Sequence, residues 1–309
     1  MITLYTEGNT METQESKNLM YLNQEYIDLK NSPLYQKALK KRKIRENLRR
    51  GGIKYILHYL KWRVKKTVRQ KEVSETEIPD TEANRNARIA VYTCITGNYD
   101  TIKEPLYCNP DIDYFIVTDM DVPEESIWKK IDINEIPGIE MLSASDKNRY
   151  IKFFPHILFP EYDFSIYVDG VIQIVADMAP IVENMGDCII GVHRHNARSC
   201  VYDEARAIIY AKRASKEKVF EQINRYKNEK YPKGNGLYEN TVLVRKHNDE
   251  SCIRLMSEWW KEYMISCKRD QLSLPYVIWK EKFDPKKIYI IGDNLDLNPR
   301  FKRTFKHKK

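Results

Sequence analysis

One segment of this 309-residue sequence, from Lys147 to Gly170, carries the densest set of residues suited to chemistry. It opens with a basic stretch that contains Arg149 and Lys152. After a Pro-Glu-Tyr-Asp turn, an apolar run delivers Asp169 just before a glycine. The pattern predicts a helix, a turn and a buried strand. Ligands bind at the carboxyl ends of strands in open α/β sheets, so this acid and these cations suit a phosphate-bearing substrate.

A second candidate site is the turn that follows the first apolar run, Ile89–Ile95. The turn reads Thr96-Gly97-Asn98-Tyr99-Asp100, and such turns can present backbone N–H groups to a nucleotide. The segment is neither Gly-x-Gly-x-x-Gly nor Gly-x-x-x-x-Gly-Lys-Ser/Thr. A dinucleotide-binding Rossmann site and a P-loop are therefore excluded. An ordinary strand-to-loop turn remains the alternative.

Polar residues also follow or precede later strands. His193 and His195 come after an apolar run and would share one face if that strand continued. They are candidate metal ligands or phosphate donors, and an ordinary polar loop is the alternative. Glu239 and Asn240 precede another strand and are further candidates for binding a ligand.

Asp270 and Gln271 open a predicted helix. A carboxylate at a helix N-terminus can act in a site, or it can simply cap the helix and interact with its dipole. Both explanations remain open at this point.

Strands and helices alternate from Arg88 onwards, which predicts an α/β fold built on a mainly parallel mixed sheet flanked by helices. The predicted strands are Ile89–Ile95, Tyr114–Thr118, Phe164–Asp169, Cys188–Val192, Thr241–Arg245 and Ile288–Ile291. The predicted helices are Lys147–Leu158, Ala179–Met185, Tyr202–Lys212, Lys216–Asn228, Glu250–Cys267 and Gln271–Lys280. The catalytic domain is expected to span residues 88–300.

The positive charge is concentrated before this domain. Between residues 34 and 71, fifteen Lys and Arg side chains oppose a single acid, Glu46. Fifteen positive charges and one negative charge give this segment a net charge of +14, which exceeds the net charge of +8 for the whole chain. The rest of the chain is therefore net negative, and nucleic acid is not an expected partner. We expect residues 1–71 to form a polar, then basic helical extension, 72–87 an acidic linker and 301–309 a basic tail.

The basic extension has apolar residues at helical spacing, namely Ile53, Ile56, Leu57, Leu60, Val64 and Val68. An amphipathic basic helix is typical of proteins that lie on anionic membranes, so we expect residues 35–71 to contact such a surface. Packing on its own domain, contact with a second subunit in a homo-oligomer, and an RNA-binding arm are the alternatives.

The cysteines bear on the compartment. Six are scattered without a Cys-x-x-Cys pair, which predicts reduced thiols rather than a zinc or redox motif. Neither a signal peptide nor a membrane-spanning apolar run is recognisable. We therefore expect a cytoplasmic protein that is soluble or peripheral on the inner face of the membrane.

Taken together, these motifs resemble the GT-A glycosyltransferases of the glycogenin and galactosyltransferase type. The carrying segments are Asn98-Tyr99, Asn148-Arg149-Tyr150, Phe159-Pro-Glu-Tyr-Asp163, Ile166-Tyr-Val-Asp169, Gly236 to Arg245, and Arg269-Asp270-Gln271. The closer resemblance is to a glycosyltransferase-like family, formerly of unknown function, found in bacterial surface-polysaccharide loci and in plant mucilage-related proteins. That family shares the Thr-Gly-Asn-Tyr-Asp turn, the Pro-His-x-x-Phe-Pro-x-Tyr run and the Asp-Gly ending.

The resemblance implies roles for particular residues. It implies that the nucleotide sugar, expected to be UDP-linked, is bound by Thr93, Thr96, Gly97, Asn98, Tyr99, Arg149, Lys152, Asp169 and Gly170. Asp270 and Gln271 become the catalytic candidates, as an acceptor-activating base or as groups that hold the donor sugar. His193, His195, Glu239 and Asn240 become candidates for binding the acceptor or its sugar hydroxyls. Asp169 matches the first acid of an Asp-x-Asp motif for Mn²⁺ or Mg²⁺, but Val171 stands in the second position. Metal binding and metal-free hydroxyl binding by Asp169 are both retained.

The expected function is transfer of a hexose from the nucleotide sugar to a glycan or lipid-linked glycan in surface-polysaccharide synthesis. Two rival functions remain. One is a sugar-nucleotide-binding scaffold without activity, and the other is a nucleotidyltransferase, which would need paired carboxylates for two metals.

Overall fold

The computed structural model describes residues 14–39, 41, 84 and 86–304. The predicted amphipathic helix at residues 53–68 lies outside these residues. So do most of the expected linker and residues 305–309 of the expected tail.

A seven-stranded sheet forms the centre of the domain. Its strands are β1 (Ile89–Ile95), β2 (Ile112–Thr118), β3 (Lys129–Asp132), β4 (Phe164–Val168), β6 (Ile190–Arg194), β7 (Tyr238–Arg245) and β8 (Ile288–Gly292). They lie in the order β3-β2-β1-β4-β7-β6-β8. Only β7 pairs antiparallel with its neighbours, so six strands share one direction. The predicted α/β class with a mainly parallel mixed sheet is confirmed.

Helices cover one face of this sheet. They are α2 (Ala144–Phe153), α3 (Pro155–Leu158), α5 (Val201–Tyr210), α6 (Lys216–Asn228), α7 (Glu250–Ile265) and α8 (Asp270–Lys280), while α1 (Gln14–Asn31) and α4 (Ala179–Glu183) lie elsewhere. We call this side the helical face. Its core joins strand residues such as Tyr92 and Tyr167 to helix residues such as Phe153 and Trp259.

The predicted helix Lys147–Leu158 is two helices. It breaks at Phe154, whose ψ of 52° leaves the helical region, and α3 begins at Pro155. The physical cause is Pro155, which has no N–H to donate and disfavours helical geometry in the residue before it. The break ends α2 directly after Lys152 and Phe153.

The other face of the sheet is covered by α4 and by a two-stranded antiparallel sheet of β5 (Ile172–Ile174) and β9 (Phe301–Arg303). Residues 301–303, at the start of the expected basic tail, therefore pair with β5 in the structure. Burial of Phe301 (2% exposed) in this second core holds the segment in place.

Helix α1 packs on the domain beside β9. The side-chain amide of Asn23 donates to the carbonyl oxygens of Pro299, at 2.6 Å, and Phe301, at 3.2 Å. The hydroxyl of Ser16 accepts from the backbone N–H of Asp177 at 3.0 Å. Residues 33–39 continue as a further helical segment. These bonds place part of the expected extension against the domain.

Candidate functional site

The chemistry-bearing residues meet at one edge of the sheet. The carboxyl ends of the six codirectional strands lie there, together with the beginning of β7. After β1 the chain adds β2 and β3 on one side, and β4 then pairs with the other side of β1. This reversal is the topological switch point at which open α/β sheets bind ligands. The Thr96 turn follows β1 and Asp169 follows β4, so both candidate segments border the crevice.

Asp169 and Asp270 share one buried lysine. The Nζ of Lys152 lies 2.8 Å from Oδ2 of Asp270 and 3.7 Å from Oδ1 of Asp169, and the lysine side chain is 1% exposed. Arg149, one helical turn earlier, places its Nε 3.6 Å from the same Oδ2 of Asp270. The structure thus adds Asp270 to the group formed by Arg149, Lys152 and Asp169.

Asp169 is held in a defined orientation. Its Oδ1 accepts a 2.7 Å hydrogen bond from the hydroxyl of Tyr167. Its backbone N–H donates to the carbonyl of Thr241 on β7 at 2.8 Å, which continues the sheet to the edge. The aspartate side chain remains 22% exposed, so a ligand in the crevice can reach it.

Asp270 and Arg149 each affect the pKa of the other. Burial alone would raise the pKa of Asp270, but Lys152, Arg149 and Arg269 together lower it well below its usual range. Burial would likewise lower the pKa of Arg149, and the charges of Asp270 and Asp169 raise it instead. The three cations therefore favour the carboxylate form of Asp270. Its Oδ1 also accepts from the N–H of Gln271, the next residue of α8, at 3.0 Å.

A buried arginine, Arg245, holds the backbone of Lys152 in place. Arg245, at the end of β7, donates from one terminal nitrogen to the carbonyl of Lys152 at 2.5 Å and from the other to the hydroxyl of Tyr92 at 2.6 Å. A cation beside the last carbonyls of a helix is also favoured by the helix dipole. Arg245 thereby fixes the backbone that carries Lys152.

The turn after β1 is shaped by an acid that the sequence analysis did not single out. The backbone N–H of Gly97 donates to both carboxylate oxygens of Asp119, at 3.1 and 3.0 Å, and Asp119 directly follows β2. Gly97 and Asn98 have φ angles of 61° and 54°, a left-handed geometry that favours these residue types. The hydroxyl of Thr96 donates to the carbonyl of Ala144, which ties the turn to α2.

Side chains around this turn differ in their access to the crevice. Tyr99 is 62% exposed, and Asn98 is exposed as well. Thr93 is buried on the opposite sheet face from Asp169, because its strand neighbours Val91 and Ile95 belong to the second core. Thr93 is therefore placed away from a ligand at Asp169.

A side chain at Gly170 would be crowded by its neighbours. A Cβ at this position would lie 3.1 Å from Ile95 and 3.4 Å from a carboxylate oxygen of Asp100. The carbonyl of Gly170 accepts a 2.7 Å hydrogen bond from Nζ of Lys103. The glycine thus permits close contact between the ends of β1 and β4.

Glu239 and Asn240 begin β7 at the same edge. Burial raises the pKa of Glu239, and nearby Asp169, Asp296 and Asp270 raise it further, against an opposing effect of Arg303. The guanidinium of Arg303 lies 3.9 Å from Glu239 and 2.7 Å from Asp296. Asn240 is 2% exposed, and neither of its side-chain amide atoms has a hydrogen-bond partner in the structure.

The expectation that His193 and His195 share a face is not met. β6 ends at Arg194, and His193 is fully buried against Phe301 on the second face, with its Nε2 3.1 Å from the amide of Asn298. His195 lies beside Glu204 of α5, and its Nδ1 accepts from the N–H groups of Ala197 and Arg198. Burial lowers the pKa of each to about 4. His193 therefore faces the second core, whereas His195 lies beyond the end of β6 among polar partners.

The donor set does not fit a divalent cation. Among the described residues, no three His, Cys, Asp or Glu side chains converge as metal ligands do. Asp169 already accepts from Tyr167 and faces Lys152, Asp270 is bonded to Lys152, and Val171 replaces the second acid of the motif. Mn²⁺ and Mg²⁺ prefer several oxygen ligands, which this arrangement does not supply.

Comparison with known proteins identifies the class. The family model for the TOD1/MUCI70 glycosyltransferase-like domain matches residues 62–294. The chain therefore belongs to the TOD1/MUCI70 glycosyltransferase-like family, which confirms the resemblance to mucilage-related proteins. A relative named "Probable hexosyltransferase MUCI70" from Arabidopsis thaliana is 25% identical over 243 residues. The match covers 69% of this chain and 40% of the relative, so the chain spans less than half of that protein.

Solved structures resemble the chain more distantly. The apo structure of the bifunctional glycosyltransferase WbbM has a TM-score of 0.43 at 10% identity, over 71% of this chain and 40% of that chain. Mouse xyloside xylosyltransferase 1 has a TM-score of 0.41 at 11% identity, over 66% and 85% of the two chains. GlyE of Streptococcus pneumoniae TIGR4 has a TM-score of 0.36 at 10% identity, over 66% and 45%. TM-scores this low carry no information about the site.

Two further observations concern the remaining expectations. Of the helices that the structure describes, none combines the length and apolarity needed to cross a bilayer. The six cysteines, all within the described ranges, are free thiols as expected.

Proposed function

We propose that this chain transfers a hexosyl group from a nucleotide sugar, with UDP as the expected nucleotide, to a hydroxyl of a glycan or lipid-linked glycan. We also propose that its α/β fold is of the GT-A glycosyltransferase type. The supporting observation is the convergence of Arg149, Lys152, Asp169 and Asp270 at the switch-point crevice. Fixed cations suit the charge of a diphosphate leaving group, and carboxylates suit the hydroxyls of a sugar.

The transfer breaks the bond between the anomeric carbon and the β-phosphate oxygen and forms one to the acceptor oxygen. Negative charge develops on the departing diphosphate, and fixed cations in a partly buried site stabilise it. Arg149 is the best placed for this, because its side chain is 24% exposed and its planar fork suits phosphate oxygens. Asp169 is exposed enough to accept a hydrogen bond from a sugar or ribose hydroxyl.

The acceptor hydroxyl must also lose its proton. Asp270 and Glu239 differ in how well each could accept it. The lowered pKa of Asp270 makes it a weak proton acceptor that suits holding the donor sugar. The raised pKa of Glu239 brings it closer to the range of a working base. In an inverting reaction Glu239 would take the proton. In a retaining reaction Asp270 would face the donor sugar, and an oxygen of the departing diphosphate would take the proton of the acceptor hydroxyl.

The proposal is tested by assaying turnover of UDP-hexoses with Asp169→Ala and Asp270→Ala beside the wild-type protein. We expect both variants to lose turnover while they remain folded by circular dichroism. Unchanged turnover in both would refute these assignments. Calorimetric binding of UDP-sugars without any product would instead indicate a sugar-nucleotide-binding scaffold.

A surface partner is proposed for the basic segment. Residues 35–71 would bring the enzyme to the anionic cytoplasmic face of a membrane that carries the acceptor, since polybasic segments gain about 1 kcal/mol per basic residue near such surfaces. Replacing Lys61, Arg63, Lys65 and Lys66 with Gln in the full chain should release the protein from phosphatidylserine vesicles. Phosphatidylcholine vesicles provide the control, and undiminished binding by the variant would contradict the proposal.

A further inference from the structure

We infer that the site works without a divalent metal because Lys152 occupies the space between the two acids that a metal would need. This inference deepens the proposed glycosyl transfer and rests on it. Lys152 is a positioning residue for Asp169 and Asp270 in the free protein. Together with Arg149, it supplies the positive charge on the leaving-group side of the crevice.

The first step of the argument is the geometry of the ammonium. Its 2.8 Å contact with Asp270 is a full charge-assisted hydrogen bond, and its 3.7 Å approach to Asp169 places it between the two carboxylates. The aromatic ring of Tyr167 lies 5.0 Å from the same nitrogen and adds a cation–π contact. The ammonium therefore has partners on three sides.

The second step is that the lysine cannot easily move aside. Its side chain is 1% exposed, and Arg245 holds its backbone carbonyl at the end of α2. A metal that took over Asp169 and Asp270 would leave a buried ammonium without a counterion, which is strongly unfavourable. A metal bound to these carboxylates would also lie close to the ammonium of Lys152, and the two positive charges would repel each other.

The third step concerns the oxygens next to Asp169. Oδ1 of Asp169 accepts from Tyr167, and the neighbouring carbonyl of Gly170 accepts from Lys103 at 2.7 Å. The position two residues after Asp169 is Val171, which offers no side-chain ligand. A cation at the remaining oxygen of Asp169 would find one protein carboxylate, whereas hard cations require several oxygen ligands.

The fourth step is the supply of charge from the protein itself. Arg149 has five N–H donors, of which one bonds to Asn148 and another faces Asp270. Arg303 of β9 is 20% exposed, approaches Glu239 and is also influenced by the charge of Asp169. Cations from α2 and β9 are thus available near Asp169 to offset the charge of a diphosphate.

The test is a titration with Mn²⁺ followed by the loss of its free electron paramagnetic resonance signal, with and without UDP. The wild-type protein should leave the Mn²⁺ signal unchanged in both cases. Lys152→Gln should create a Mn²⁺ site from the released carboxylates, and adding Asp169→Asn to that variant should remove it. Lys261→Gln, which changes an exposed lysine, should behave as wild type.

One equivalent of Mn²⁺ bound by the wild-type protein and lost in Asp169→Asn would overturn the inference. Failure of a folded Lys152→Gln to bind Mn²⁺ would also overturn it, since the lysine would then not be the group that excludes the metal. The wild-type titration decides the main point even if a variant misfolds.

Calorimetry with a panel of nucleotide sugars in EDTA and in Mn²⁺ separates this inference from the proposed function. Binding and turnover that survive EDTA support both. Binding that appears only with Mn²⁺ contradicts the metal-free site and leaves the glycosyltransferase proposal intact. A lack of binding under both conditions contradicts the proposed function, while the resonance titration still decides the question of the metal.

Discussion

The hydroxyl of Tyr167 donates a 2.7 Å hydrogen bond to Oδ1 of Asp169, two residues further along the same chain segment. Alternate residues of an extended segment point to the same side, so Tyr167 lies directly beneath the aspartate. The tyrosine is fully buried and packs edge-on against Tyr92. The core of the sheet thus determines how the candidate ligand-binding acid is presented.

Tyr167→Phe should weaken binding of the donor nucleotide sugar. The change keeps the ring and removes a hydrogen bond to a charged group, which is worth about 1.5–3 kcal/mol. Because each 1.4 kcal/mol corresponds to a factor of ten, we expect affinity to fall by about ten- to a hundredfold, measured by calorimetry. Tyr114→Phe is the matched control, since that hydroxyl accepts from Asn109 in the second core. Equal losses in both variants would contradict a specific role.

Local patterns predict some elements well. The strand Ile89–Ile95 and the helix Lys216–Asn228 occur as predicted, because the strand is a continuous apolar run and Ser215 caps the helix. The small strands β5 and β9 were not predicted, since each has three residues and gains stability only from pairing across more than a hundred residues. Their sequences contain no local signal for that pairing.

The candidate site likewise contains residues that local patterns predict and contacts between distant residues that they do not. Asp169 and Asp270 were found because each follows a recognisable boundary of a strand or helix. Their connection through Lys152 was not, because it joins positions 118 residues apart and depends on how α2 and α8 pack. Arg245 and Asp119 were missed for a related reason. An arginine at a strand end and an acid in a turn appear ordinary until their partners are known.

Glu239→Gln should abolish most of the activity and remove the acidic limb of the pH profile. A base works only when ionised, and burial raises the pKa of Glu239, so activity of the wild-type protein should fall as pH drops through that raised pKa. kcat/KM measured across the acidic range tests this. Glu221→Gln, at an exposed position of α6, should leave the profile unchanged.

Glu239→Gln should affect stability differently from activity. A carboxyl whose pKa is raised in the folded state contributes stability below its unfolded pKa, and that contribution is lost as pH rises through the folded value. Glu239→Gln imitates the protonated form, so its stability at neutral pH should equal or exceed that of the wild type. Reduced stability together with reduced activity would instead point to a structural role for Glu239.

Asn23→Ala should destabilise the protein although the residue lies far from the crevice. The change leaves the carbonyls of Pro299 and Phe301 without their donor, and such losses cost about 1–3 kcal/mol. Urea denaturation should show a lower midpoint with an unchanged slope. Asn18→Ala, whose partner is the exposed Gln14, is the control. An unchanged midpoint in Asn23→Ala would show that α1 does not stabilise β9.

Asp119→Ala should weaken nucleotide binding by loosening the turn after β1. Both oxygens of Asp119 accept from the N–H of Gly97, which holds the left-handed geometry of Gly97 and Asn98 in place. Gly97→Ala should have a similar effect, because a side chain at φ 61° costs about 1 kcal/mol even though only Ala144 lies near the added Cβ. Affinity for UDP measured by calorimetry should fall several-fold in both variants, while Asp121→Ala should bind as wild type. If the two variants lost stability but kept their affinity for UDP, the turn would be a structural feature of the sheet edge and the nucleotide would bind elsewhere.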